Sequence, residues 1–125
     1  VKIKGKKYKV TAIGNSAFKG CKKLKTVTIG SNVTVIGEKA FYNCTSLTKI
    51  VIPGKVTTIQ KEAFCKCKKL SSVTIKGTKL KTVRKNAFKG TKKKIKITVP
   101  KNKYGIYKKI LKGAGFRSPV YKKRK

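Results

Sequence analysis

One phrase returns four times along this chain: AFKGC from Ala17, AFYNC from Ala40, AFCKC from Ala63 and AFKGT from Ala87. Its phenylalanines, Phe18, Phe41, Phe64 and Phe88, stand 23, 23 and 24 residues apart. An internal period of roughly 20–30 residues is the mark of a solenoid, in which each unit stacks on the last. Other positions keep the same register. Cys21, Cys44 and Cys67 follow each Phe by three, with Thr91 in the fourth copy, and Leu24, Leu47 and Leu70 lie three further on. Val27 and Ile29, Ile50 and Ile52, Val73 and Ile75, and Ile97 and Val99 close the units. A second apolar pair precedes each Phe: Val10 and Ile13, Val33 and Ile36, Val56 and Ile59, Leu80 and Val83.

These positions predict local structure. The V-x-I ends alternate with period 2, so both apolar residues face one way. They predict short strands at KTVTI from Lys25, TKIVI from Thr48, SSVTI from Ser71 and IKITV from Ile95. A strand that recurs every coil must stack parallel, about 4.8 Å from its neighbour. The segments GNSAF, GEKAF, QKEAF and RKNAF are richer in helix formers and predict one helical turn across each coil, with Asn15 or Ser16 capping the first. No unit can bury its Phe, Leu, Val and Ile alone. At about 1.5–3 kcal/mol per fully buried large apolar side chain, the ordering of a unit is offset only when neighbours stack on it.

VTVIGEKAFYNCTSLTKIVIP, from Val33 to Pro53, resembles the BspA-like leucine-rich repeat, and the likeness spans roughly Val10 to Pro100. The resemblance implies an α/β-type solenoid, a curved, right-handed stack of parallel short strands with short helical turns. It also implies a place on exported or surface-attached bacterial proteins, in adhesion or partner binding. Thr91 in place of Cys, and Lys94–Ile95 in place of the Leu step, suggest that the stack ends at the fourth copy. The expected organisation is a single domain over residues 1–125, with about four repeats between 10 and 100.

Open coil ends need cover. VKIKGKKYKV from Val1 alternates apolar residues with Lys around Gly5 and predicts a β-hairpin cap over residues 1–10. KNKYGIYKKILKGAGF from Lys101 places Tyr104, Tyr107, Ile110 and Leu111 at helical spacing, with Gly113 and Gly115 as stop signals. It predicts a helical cap over the last coil, followed by SPVYKKRK as a strand or basic tail within 101–125. A basic amphipathic helix lying on an anionic membrane is the competing reading.

Charge is the extreme property. The chain carries 36 Lys and Arg against 2 acids and no His, a formal net charge of +34. Such a surface repels itself, favouring a monomer, and draws polyanions through a salt-screened field. Only Arg84, Arg117 and Arg124 are arginines, so charge-driven attraction is favoured over bidentate reading of base edges. Lys22, Lys23 and Lys25, then Lys66, Lys68 and Lys69, then Lys89, Lys92, Lys93 and Lys94 fall in equivalent turns and define a candidate polyanion-binding edge, which Thr45 and Ser46 interrupt in the second copy. The outward strand positions Thr26, Lys49, Ser72 and Lys96, and beside them Thr28, Val51, Thr74 and Thr98, form a second candidate binding face. It is polar and lacks the Tyr, Trp and Arg anchors of a protein hot spot, so a solvated sheet without a ligand is the competing reading.

Chemistry is sparsely provided for. With His absent and Glu38 and Glu62 the only acids, general acid–base catalysis lacks its players. Both glutamates are expected on the convex side in solvent. No cofactor motif is present. Cys21, Cys44 and Cys67 should line an inward ladder of buried thiols, a zinc site or an inter-coil disulfide being less economical readings. Cys65 shares its position with Lys19, Tyr42 and Lys89 and is expected outward and free. No apolar run approaches the ~18 residues of a membrane span. The absence of Met suggests a fragment or processed form, and the resemblance implies that it belongs to a longer exported protein. The function expected is a non-enzymatic extracellular or cell-surface interaction module, its partners anionic polymers such as teichoic acid and acidic glycans, or a protein ligand. Non-specific nucleic-acid binding and a spacer role for another domain are the alternatives.

Overall fold

A computed structural model describes residues 12–124 in full and, before them, the backbone of 2–3 and 6–7. β1 (Lys2–Ile3) pairs antiparallel with β2 (Lys6–Lys7), placing Lys2 opposite Lys7 and Ile3 opposite Lys6. The cover this hairpin was expected to give the first coil, and the place of Val10 in its column, lie outside the described residues. The chain continues through β3 (Ala12–Ile13), β4 (Val35–Ile36), β5 (Lys49–Ile52), β6 (Thr58–Ile59), β7 (Ser72–Ile75), β8 (Thr82–Val83), β9 (Lys96–Pro100), α1 (Tyr104–Leu111) and β10 (Val120–Arg124).

The strands form two parallel sheets on opposite sides of one core, ordered β3-β4-β6-β8 and β10-β9-β7-β5. The second holds the V-x-I strands in the expected register, Lys49 beside Ser72 beside Lys96. Lys25–Ile29, expected as the first of them, is not a strand. Among the described residues they have a stacked neighbour on one side only, to which they are joined where Thr48 N donates to Lys25 O at 3.3 Å. The other sheet was not foreseen: the segments before each Phe form two-residue strands there.

The expected helical turns are absent, and the reason is where the amides point. In each A-F segment alternate N–H groups bond within the turn and to the next coil. Ala17 N donates to Gly14 O and Lys19 N to Ser16 O, both 3.2 Å, whereas Ser16 N reaches Glu38 O at 2.8 Å and Phe18 N reaches Ala40 O at 2.7 Å. The same bond recurs from Phe41 N to Ala63 O, Phe64 N to Ala87 O and Phe88 N to Ala114 O. A helix would turn every amide along its own axis and forfeit these links. The geometry requires Ser16, Lys39, Glu62 and Asn86 to adopt left-handed φ values of 58, 56, 57 and 59°. That conformation costs an L-residue about 1–2 kcal/mol, which the inter-coil bonds and packing offset. Asn15 caps no helix; its Oδ1 accepts the Glu38 N–H of the next coil at 2.8 Å.

Equivalent side chains stack in columns. Phe18, Phe41, Phe64 and Phe88 lie face to face with centroids 5.2, 5.0 and 5.0 Å apart. Leu47, Leu70, Ile50, Val73, Ile97, Ile52, Ile75 and Val99 are buried beside them, while Phe18, Cys21, Leu24 and Val27 of the first coil are half-buried. The stack does not end at the fourth copy. Phe116 lies on Phe88 at 4.8 Å, Ala114 takes the alanine position, and β10 pairs parallel with β9. Within this last coil α1 stands where earlier coils carry a two-residue strand. Tyr107 and Leu111 are buried and Tyr104 and Ile110 half-buried, as their spacing predicts. The Tyr107 hydroxyl donates to Gly77 O at 2.8 Å and accepts from Leu80 N at 3.2 Å, which ties the helix to the preceding coil.

Candidate functional site

The lysines of the expected edge occupy turns between the sheets. Lys22, Lys23, Lys25, Lys66, Lys68, Lys69, Lys89, Lys92, Lys93 and Lys94 are all exposed. The structure gathers four of them, Lys68, Lys89, Lys92 and Lys93, around a depression of about 700 Å³ that Asn86, Gly90, Thr91, Gly115 and Arg117 also line. Lys22, Lys23 and Lys25 line no part of it. Arg117 escaped the sequence reading because the tail that carries it does not keep the 23-residue period. It is placed by its backbone, Lys94 N donating to Arg117 O at 3.1 Å.

The rim also carries a ladder of backbone bonds. Gly20 N donates to Tyr42 O at 2.7 Å, Asn43 N to Cys65 O at 2.8 Å and Lys66 N to Lys89 O at 2.7 Å. Gly90 is next in this column, and among the described residues its N–H meets no acceptor. Two coils earlier, Lys19, Lys39 and Lys66 surround the Tyr42 ring, their ammonium groups 5.7, 5.4 and 5.5 Å from its centroid. Hydrogen bonding to Tyr42 holds the Lys66 ammonium above the ordinary lysine range.

Little opposes this charge. Glu38 is exposed, as expected. Glu62 is only partly exposed and lies 3.9 Å from Lys39, the one ion pair among the described residues. A pair so open to solvent contributes about 0–1 kcal/mol.

On the outer strand face, Lys49, Ser72 and Lys96 stand in one column and Val51, Thr74 and Thr98 in the next. β10 extends them with Val120 and Lys122, neither foreseen. Val51 and Val120 are 37% and 43% exposed. Thr26 and Thr28 are exposed but lie outside any strand.

Cys44 and Cys67 lie in the inward column, each Sγ donating at 3.1 Å to a phenylalanine carbonyl of the preceding coil, Phe18 O and Phe41 O. Its hydrogen bond with Cys44, and then burial, pushes the Cys67 thiol far above the ordinary range. All four thiols are free. Cys65, expected outward, is instead 3% exposed. Its side chain is too short to follow Lys19, Tyr42 and Lys89 out of the same column. Burial first, and then the Glu62 carboxylate, raise its pKa, which makes it a poor nucleophile. Among the described residues no three His, Cys, Asp or Glu side chains cluster to hold a metal ion, and no helix is long and apolar enough to cross a membrane.

Residues 2–115 match the sequence model of the BspA type leucine rich repeat region, in six copies. No curated protein matches the chain. Among solved structures, the crystal structure of a leucine-rich repeat protein from Bacteroides ovatus is similar, with a TM-score of 0.72 and 31% sequence identity. The likeness covers 92% of this chain and 28% of that one.

Proposed function

Because the chain belongs to the BspA-type leucine-rich repeat family, a family of interaction modules typically associated with bacterial surfaces, we propose that it is a non-enzymatic, extracellular or surface-held adhesion module whose lysine rim associates with anionic polymers. Wall teichoic acids and acidic glycans are the partner class. The observation that carries this reading is the fully exposed rim in a chain with 36 basic and 2 acidic residues. Nothing in the molecule can neutralise such a rim, so it holds counter-ions, and a polyanion that displaces them gains their release. The same repulsion keeps copies apart, which favours a monomer. A right-handed stack, closed by the β1–β2 hairpin at one end and α1 at the other, belongs to this reading. A protein ligand would take the outer strand face, where Val51 and Val120 supply apolar area.

The test is a binding series against teichoic acid, heparin and a neutral glycan between 50 and 500 mM salt. Binding to the two polyanions that falls steeply with salt, and none to the neutral glycan, is expected. Equal binding to all three, or indifference to salt, refutes the reading. A strong preference for one DNA duplex over its scrambled sequence would replace it with nucleic-acid recognition.

A further inference from the structure

We propose that the depression on the fourth and last coils is a seat for the phosphodiester group of a polyol-phosphate polymer; this deepens, and rests on, the polyanion reading above. Three observations converge there. Two of its lining residues, Gly90 and Gly115, carry no side chain and hold left-handed φ values of 81 and 91°. A Cβ on Gly115 would lie 2.8 Å from the Lys89 Cβ and one on Gly90 3.2 Å from the Lys66 Cα, so glycine lets two backbone segments close up beneath the opening. Its walls carry five cations, Lys68, Lys89, Lys92, Lys93 and Arg117. Arg117 is one of three arginines in the chain, and its planar fork fits two oxygens of one anion.

The third observation is the Gly90 N–H. In the three preceding coils the equivalent amide is used by the next coil. Here the ladder stops: Gly90 lines the hollow, and among the described residues its N–H donates to no protein acceptor. An oxyanion with acceptors on several sides answers an amide, a guanidinium fork and ammonium groups together, and phosphate does so better than a planar carboxylate.

The lining also selects the polymer. It contains no aromatic residue, so it offers no platform on which a base or a sugar ring can stack. A polyol-phosphate chain has no ring to stack. The hollow, at about 700 Å³, is wide enough for a phosphodiester with part of the polyol on either side.

The experiment uses a synthetic glycerol-phosphate oligomer as probe, with heparin and oligo-thymidylate beside it. One variant combines Lys92→Gln, Lys93→Gln and Arg117→Gln; another removes equal charge from the first coil through Lys22→Gln, Lys23→Gln and Lys25→Gln. Circular dichroism confirms that both fold. The first variant should lose about tenfold or more in affinity for the oligomer, the loss typical of charge-assisted contacts, and the second much less. The Gly90 amide resonance should shift as the oligomer is added to the parent protein. Equal losses in the two variants, or a stationary Gly90 signal, overturn the seat while leaving the polyanion reading intact. Tighter binding of oligo-thymidylate than of the oligomer overturns the choice of polymer. Failure of the parent protein to bind any of the three polyanions removes both.

Discussion

Replacing Phe64 by alanine removes the middle of the aromatic column. Phe64 is fully buried and stacked on both faces, 5.0 Å from Phe41 and 5.0 Å from Phe88, with interplanar angles of 4° and 5°. Truncating a buried Phe to Ala costs about 3–5 kcal/mol, and each stacked pair accounts for about 0.5–1.5 kcal/mol beyond burial. Phe18 is chemically the same but half-buried, with one stacked ring among the described residues, at 5.2 Å. Its truncation should cost about half as much, roughly 1.5–2.5 kcal/mol on the same scale. Against a typical total of about 5–15 kcal/mol, Phe64→Ala places the fold near its limit while Phe18→Ala does not. The assay is urea unfolding followed by far-ultraviolet circular dichroism, since the chain has no Trp to report. A double-mutant cycle sharpens it. Phe41 and Phe64 touch and should couple by about 0.5–1.5 kcal/mol, whereas Phe18 and Phe64, separated by Phe41, should be additive within about 0.5 kcal/mol. Equal losses at Phe18 and Phe64, or equal coupling in both cycles, would refute a core built by nearest-neighbour stacking.

Gly77→Ala should destabilise by about 1–3 kcal/mol or more, because its Cβ would lie 2.6 Å from the Gly54 Cα, whereas Gly54→Ala, whose Cβ keeps 4.0 Å from the Gly77 Cα, should be tolerated; paired urea midpoints decide it. Tyr107→Phe leaves Gly77 O and Leu80 N without their partner and should cost about 1–3 kcal/mol. Burial raises the Tyr107 pKa above the value near 10 of a free tyrosine. Its contribution is therefore complete below about pH 10 and is lost as pH rises through the folded value. The parent protein should lose more stability than Tyr107→Phe between pH 9 and 11, and parallel curves would contradict the assignment. A thiol reagent should label half-buried Cys21 in the native protein and spare Cys44, Cys65 and Cys67 until urea unfolds it; labelling of Cys65 as fast as Cys21 would show that it is not buried.

What could be read from residues alone was whatever repeats. A column of identical side chains is self-consistent only if coils stack in register, so the Phe ladder and the Lys49–Ser72–Lys96 row followed from spacing. The second sheet did not, because two-residue strands are too short to show alternation. The turns at Ser16, Lys39, Glu62 and Asn86 were misread as helical. Helix propensity describes an isolated segment, whereas here the amides of Phe18, Phe41 and Phe64 are claimed by the next coil. The last coil was hidden because α1 stretches it: Phe116 follows Phe88 by 28 residues, not 23. For the same reason Arg117, remote from every lysine cluster in sequence, could not be placed beside Lys92 and Lys93 before the fold was known. Cys65 failed by column reasoning itself, since a shared position does not give a short side chain the reach of a lysine.

β10 is the outermost strand of its sheet, and it carries Lys122, Lys123 and Arg124. Among the described residues no strand pairs with its outer side. Such an edge invites another strand, and like-sign repulsion turns a second copy away. That safeguard lasts only as long as the ionic atmosphere stays thin. Any polymer that blankets the cations would also disarm it, so crowding along a polyanion is the circumstance in which neighbouring molecules would begin to join edge to edge.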